Sequence, residues 1–228
     1  GGEPMFGLGV LNIASPEGEQ LLMAFPIGIV CGLVGGLFNK GLVWLTGRLA
    51  PVVRRRPLRT GLCLGAGLTI LALLSWGTST SDGESLVRLL IDQGMPNALG
   101  DQNDVITGLT SVWITLVRVI GPMLALSPGV PGGLIDPALT FGAVLGYTIC
   151  AVAGISSQLG IGLGLAAGLS GATQLPLVSI VFSWRLAGDQ QLFAGVVLAS
   201  VMAAYTGRLV CRDPVYHGLS KLQSAPRR

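Results

Sequence analysis

The residues best placed to do chemistry lie in SPGVPGGLIDPALTFG, Ser127 to Gly142. The stretch sets three prolines, several glycines and one carboxylate, Asp136, inside some of the most apolar sequence of the chain. Pro128 to Gly133 cannot continue the helix that the apolar residues before them favour. Apolar sequence resumes at Leu134, so a helix is expected to restart there. Pro137 fits its first turn, where a missing N–H costs nothing. The N–H groups near Gly133 to Asp136 then have no intrahelical partner. Such groups, at the positive end of a helix dipole, attract an anion, and glycine removes side chains that would block its approach. A second reading of the same residues is a re-entrant kink that serves packing alone. Nothing in the stretch itself separates the two.

The rest of the chain says where this helix start must sit. Of 228 residues, 50% are hydrophobic and 11% charged, against about 25% charged in soluble domains. Mean hydropathy is +0.70. These values define an integral membrane protein, and the apolar runs below lead to the expectation that it is all-α and polytopic. The 35 glycines suit close helix packing in lipid, and a net charge of +3 gives no reason to expect nucleic acid. Cys31, Cys63, Cys150 and Cys211 have no paired spacing and read as small buried hydrophobes. His217 has no visible ligand partner, so neither metal nor cofactor is expected.

Apolar runs divide the chain into elements. Glu19 to Phe38 and Leu42 to Val53 read as a helix pair broken near Gly35-Gly36. Leu58 to Trp76 is a span long enough for a hydrocarbon core of roughly 30 Å, Val105 to Leu126 is another, and Leu134 to Ile155 is an apolar run. Leu86 to Ile91 is a short apolar piece in the polar stretch Gly77 to Asp104. Gly160 to Thr173, Leu175 to Leu186, Gln190 to Thr206 and Pro214 to Leu222 follow. Unequal segments interrupted by glycine and proline are typical of transporters with broken helices. Non-helical backbone is tolerated at membrane depth only where protein buries it or a wet cavity meets it. Gly28, Gly32, Gly36 and Gly160, Gly164, Gly168 are spaced by four, which puts each set on one helix face for close packing. Arg48, Arg54, Arg55, Arg56 and Arg59 flank one loop, and Lys221, Arg227 and Arg228 lie at the chain's end. Asp82, Glu84, Asp92, Asp101 and Asp104 share another loop, with Arg88 as its cation. The positive-inside rule places the arginine loop and the C-terminus in the cytoplasm and the acidic loop outside.

With these elements in view, R-V-I-G-P-M-L-A-L-S-P-G-V-P-G-G-L-I-D-P, Arg118 to Pro137, resembles the CLC family of voltage-gated chloride channels and chloride/proton antiporters. In that family a helix ends in a serine-glycine-x-proline-glycine-glycine run, and the next opens with G-x-F-x-P, whose backbone amides hold a chloride. Gly133, Leu134, Ile135, Asp136 and Pro137 occupy those places. A-A-G-L-S-G-A-T-Q-L-P-L-V-S-I-V-F, Ala166 to Phe182, is similar to the family's glycine-rich helix and the helix after it. G-L-V-G-G-L-F-N-K, Gly32 to Lys40, is similar to G-x-x-G-x-x-F-N-K. D-P-V-Y, Asp213 to Tyr216, is similar to K-P-L-Y, whose tyrosine hydroxyl contacts the central chloride. There are three departures. Ile135 replaces the phenylalanine, Asp136 replaces a small residue, and Arg185 replaces an acidic residue. Asp136 is expected to cap its own helix, since aspartate favours helix starts and a bare carboxylate in a membrane is expensive.

The resemblance implies the second inverted repeat of the CLC fold, with broken and re-entrant helices, over residues 1–228. The first half's G-S-G-I-P and G-R-E-G-P motifs do not occur here, so the chain is expected to be the C-terminal portion of a longer protein. Counted back from Phe38-Asn39-Lys40, Glu3 falls within a residue of the internal glutamate that loads protons in the antiporters. The implied function is chloride transport coupled to protons, without bond chemistry, by a homodimer in the bacterial inner membrane. Two alternatives stand beside it. One is a passive voltage-gated channel. The other is a non-transporting half-subunit or scaffold that dimerises or pairs with a separate first-half segment.

Overall fold

A computed structural model describes residues 18–75, 83–92, 104–129, 132–187 and 190–212, which are helical apart from short connections. In order they form α1 (Gly18–Leu21), α2 (Ala24–Arg55), α3 (Pro57–Leu74), α4 (Gly83–Asp92), α5 (Asp104–Leu126), α6 (Ile135–Val152), α7 (Ser157–Thr173), α8 (Pro176–Ala187), a 3-10 turn at Gln190–Leu192, and α9 (Phe193–Val210). Among the described residues, four helices, α2, α3, α6 and α9, are long and apolar enough to cross a membrane.

The expected break near Gly35-Gly36 is corrected: α2 runs through it as one helix of 32 residues. The glycines serve packing instead. A Cβ at Gly36 would lie 2.9 Å from the Gly207 carbonyl oxygen, and one at Gly35 would lie 2.6 Å from the Ala172 nitrogen. The arginine loop also proves helical, with Arg56 alone between α2 and α3. Arg54 and Arg55 fall in the last turn of α2, where cations complement the helix dipole. Arg48 stacks over the Trp44 ring at 5.2 Å.

Both glycine ladders are helix seams. Gly28 meets Ala199 and Met202, Gly32 meets Ala203 and Thr206, and Gly36 meets Gly207 and Val210. Numbers rise together on the two sides, so α2 and α9 run parallel. Gly146 meets Gly160, Gly142 meets Gly164, and Ala138 meets Gly168; here the order reverses, and α6 and α7 are antiparallel. Every residue of α7 from Leu159 to Thr173 is buried, which explains why its sequence is apolar on all sides. Polar ties join the same helices. Asn39 Nδ2 donates to the Ala172 carbonyl at 2.6 Å, and Ser170 Oγ donates to the Ser200 carbonyl at 2.6 Å.

α3 is the opposite case. Thr60 is its one buried residue, while Leu58, Leu62 and Leu73 are exposed. Cys63 lies on this helix and is exposed, unlike the buried Cys31 and Cys150. The expectation of a buried Cys63 fails because hydropathy cannot tell an exposed apolar helix from a central one.

Candidate anion site at the start of α6

α5 stops where the proline-glycine run begins. Ser127 N–H donates to Met123 at 3.0 Å, and the buried Ser127 hydroxyl donates to the Leu124 carbonyl at 2.9 Å. Gly129 N–H then closes a tighter turn onto Leu126 at 3.0 Å. Gly129 takes φ +85°, a left-handed geometry that glycine adopts without steric cost.

α6 restarts at Ile135 with Leu134 as its N-cap. The first bond into the helix is Ala138 N–H to Leu134 C=O, at 3.3 Å. The N–H groups of Ile135 and Asp136 precede it, and Pro137 has none. Leucine cannot cap with its side chain, and no side-chain cap is made here. Leu134 is instead buried in a core cluster with Leu86, Val87 and Leu139. Gly132 and Gly133 are exposed, and a Cβ at Gly133 would meet nothing within 4 Å. Gly133, Leu134 and Ile135 therefore share one helix start, where Gly133 and Ile135 are exposed among the described residues and Leu134 is buried.

Asp136 reaches beyond its own helix. It stands second in α6, and its Oδ1 accepts the N–H of Gly83, the first residue of α4, at 3.0 Å. Its Oδ2 lies 4.0 Å from Nη1 of Arg118, a buried residue of α5. The carboxylate thus serves the positive end of a neighbouring helix. Thr140 Oγ1 donates to the Asp136 carbonyl at 2.7 Å, one turn further on.

The two seams bring several helix ends to one level. Gly168 lies against Ala138 near the start of α6, and Gly171 lies against Cys31, Gly32 and Gly207. The start of α6, the end of α7 and the end of α9 therefore gather together. Gln174, just past α7, is buried with φ 58° and donates through Nε2 to the Cys211 carbonyl at 2.7 Å. This bond fixes the chain where it leaves α9, shortly before Tyr216. Tyr216 and Glu3 lie outside the described residues.

Three contributors were not singled out from sequence: Arg118, the Gly83 N–H and Gln174. Arg118 carried a signal, because a cation within an apolar span marks a functional place. Its partner could not be read, since Asp136 reaches it only across the loop. Gln174 carried none, because glutamine has no preference for left-handed backbone.

Among the described residues the protein is all-helical, with apolar candidate spans and a helix that restarts at Ile135 after a proline-glycine run, and these features define its class. Comparison with known proteins narrows it. A sequence model described as "Voltage gated chloride channel" matches residues 1–208, and the chain belongs to this family. It is 27% identical over 195 residues to a voltage-gated ClC-type chloride channel, ClcB, of Salmonella typhi, covering 81% of this chain and 44% of the relative. It is 26% identical over 223 residues to an H(+)/Cl(-) exchange transporter, ClcA, of Vibrio campbellii, covering 90% of this chain and 43% of the relative. The chain thus matches less than half the length of these relatives. The crystal structure of a slow cyanobacterial Cl-/H+ antiporter aligns with a TM-score of 0.54 at 19% identity, covering 86% of this chain and 48% of that one. This likeness establishes the fold.

Proposed function

We propose that this chain forms one wall of a chloride pathway, and that the protein it belongs to exchanges chloride for protons across the bacterial inner membrane. The observation that carries the reading is the start of α6: a helix N-terminus without a side-chain cap, reached over exposed glycines. Backbone N–H groups at such a start hold anions without a formal positive charge, which suits an ion that must also leave. The amides of Gly133, Leu134 and Ile135 take one side of the ion, and the Tyr216 hydroxyl takes another. The exit of α9, tethered at Cys211, supports that pairing. Family relatives named for H(+)/Cl(-) exchange support the coupling to protons.

The remaining assignments follow from the same reading. The chain is the second repeat of the fold, its arginine-rich turn and C-terminus are cytoplasmic, and the protein is a homodimer. The exposed apolar residues Leu37 of α2, Leu177 and Val181 of α8 and Val201 of α9 support a covered face.

The test is chloride titration of the full-length protein against Tyr216→Phe. Loss of a contact to a charged ion is worth about 1.5–3 kcal/mol, so binding should weaken at least tenfold. Unchanged affinity would return the start of α6 to a packing kink. Because other relatives are named as channels, flux into liposomes with chloride and pH electrodes is the second measurement. Chloride movement without proton movement would favour the passive channel.

A further inference from the structure

We infer that Asp136 and Arg118 form a charge-balancing pair that sets the field at the start of α6, and that Asp136 is a positioning residue which also fastens α4 there. The inference rests on the reading of that helix start as a chloride site. Asp136 contacts two other helices, through the Gly83 N–H at 3.0 Å and the Arg118 guanidinium at 4.0 Å. The fastening is local and tight. A Cβ at Gly83 would run into the Asp136 and Thr140 side chains, so α4 approaches α6 closely only because its first residue is glycine. Behind it, Leu86, Val87 and Leu90 are buried in the same cluster as Leu134 and Leu139. α4 is therefore anchored by burial along its length and oriented at its tip by the carboxylate.

The charges act differently on an anion. Arg118 is 3% exposed, and its cation next to an anion-binding helix start would hold chloride too firmly for passage. The Asp136 carboxylate, second in α6 itself, opposes that attraction. Its side chain is 58% exposed, so its field is partly screened, and an effective dielectric near 20 is the fitting scale. A unit charge about one helix width, ~10 Å, from the ion then alters binding by roughly tenfold. The two charges oppose each other in the wild type, so that the backbone N–H groups set most of the affinity.

The experiment separates charge from fastening. Asp136→Asn keeps an oxygen that accepts the Gly83 N–H and loses the charge. Chloride titration of the full-length protein at fixed ionic strength should show roughly tenfold tighter binding, with unloading and net turnover slowed. Arg118→Gln should weaken binding by a similar factor, and the double variant Asp136→Asn/Arg118→Gln should return near the wild-type affinity. A merely structural role for the pair cannot tighten binding, nor can it be rescued by removing both partners. Unchanged or weakened binding in Asp136→Asn overturns the inference, and this variant decides the matter even if Arg118→Gln fails to fold. Wild-type protein that binds no chloride would overturn the reading of the site together with the inference. Wild-type binding with no response in Asp136→Asn overturns the inference alone.

Discussion

Gly171→Ala is the sharpest test of how α2, α7 and α9 are held. A Cβ added at Gly171 would lie 2.6 Å from the Cys31 carbonyl oxygen, 3.0 Å from the Gly32 Cα and 3.1 Å from the Cys31 carbonyl carbon. All three are backbone atoms of α2, so no side-chain rotation relieves the contact. The helices must separate by several tenths of an ångström, and the separation strains neighbouring contacts. The Asn39–Ala172 bond, at 2.6 Å, is one residue away. Overpacking of this kind costs about 1–3 kcal/mol, and weakening one buried hydrogen bond adds about 1 kcal/mol. A total of roughly 2–4 kcal/mol, at about 2–4 °C per kcal/mol for chains of this size, predicts a fall in melting temperature of several degrees or more. Gly65→Ala on α3 is the control. Nothing lies within 4 Å of a Cβ there, and alanine is favoured over glycine in a helix by about 0.5–1 kcal/mol, so its melting temperature should hold or rise. Heating the detergent-solubilised full-length protein and following the folded fraction by size exclusion measures both. Equal melting temperatures for wild type and Gly171→Ala would refute the close three-helix junction.

Two further outcomes are expected. Gly133→Val adds bulk where a Cβ meets nothing, so the protein should fold with an unchanged melting temperature while chloride binding weakens at least tenfold; unchanged binding would remove Gly133 from the ion's path. Gln174→Ala keeps the left-handed residue but loses the bond to Cys211, and should destabilise by about 1–2 kcal/mol, whereas Gln174→Gly relieves the backbone and should recover about 1 kcal/mol of that. Thermal melts showing alanine equal to or better than glycine would contradict the positive φ at this position.

Much of the fold was legible because lipid leaves few options. The apolar runs Leu58 to Trp76, Val105 to Leu126 and Leu134 to Ile155 correspond to the helices α3, α5 and α6 within a few residues, since an apolar run at membrane depth must satisfy its backbone as helix. The glycine ladders were legible as faces because spacing by four is a helical period, although which helix each would meet was not. The break at Gly35-Gly36 was misread for a related reason. Glycine weakens a helix in water, but here the neighbouring backbones of α7 and α9 fill the space that glycine leaves. At the site, the restart after Pro128 to Gly133 followed from proline chemistry alone. The destination of the Asp136 carboxylate did not, because a helix start offers aspartate its own N–H groups and nothing local announces that α4 brings a competing set.

The geometry links the seams to the site. The place where the chain leaves α9 and the place where α6 begins are not joined by a direct hydrogen bond among the described contacts. Their relation passes through α7, which is buried from Leu159 to Thr173 and touches α6 along Gly160, Gly164 and Gly168 and α2 and α9 around Gly171. Each of these contacts is backbone against backbone, and backbone is the least compressible partner a helix can have. Flexible side chains at the same positions would let the helix ends drift by an ångström or more, enough to open or crush a site built for one small ion. Glycine at the seams therefore does more than permit close packing. It removes the rotamer freedom that would otherwise blur the distance between the start of α6 and the tethered exit at Cys211. Gly133 serves the opposite purpose, since a Cβ there would meet nothing within 4 Å among the described residues and the proposed ion site keeps its room. One residue type thus acts in two ways: buried between helices it fixes the frame, and exposed at a helix start it opens the path.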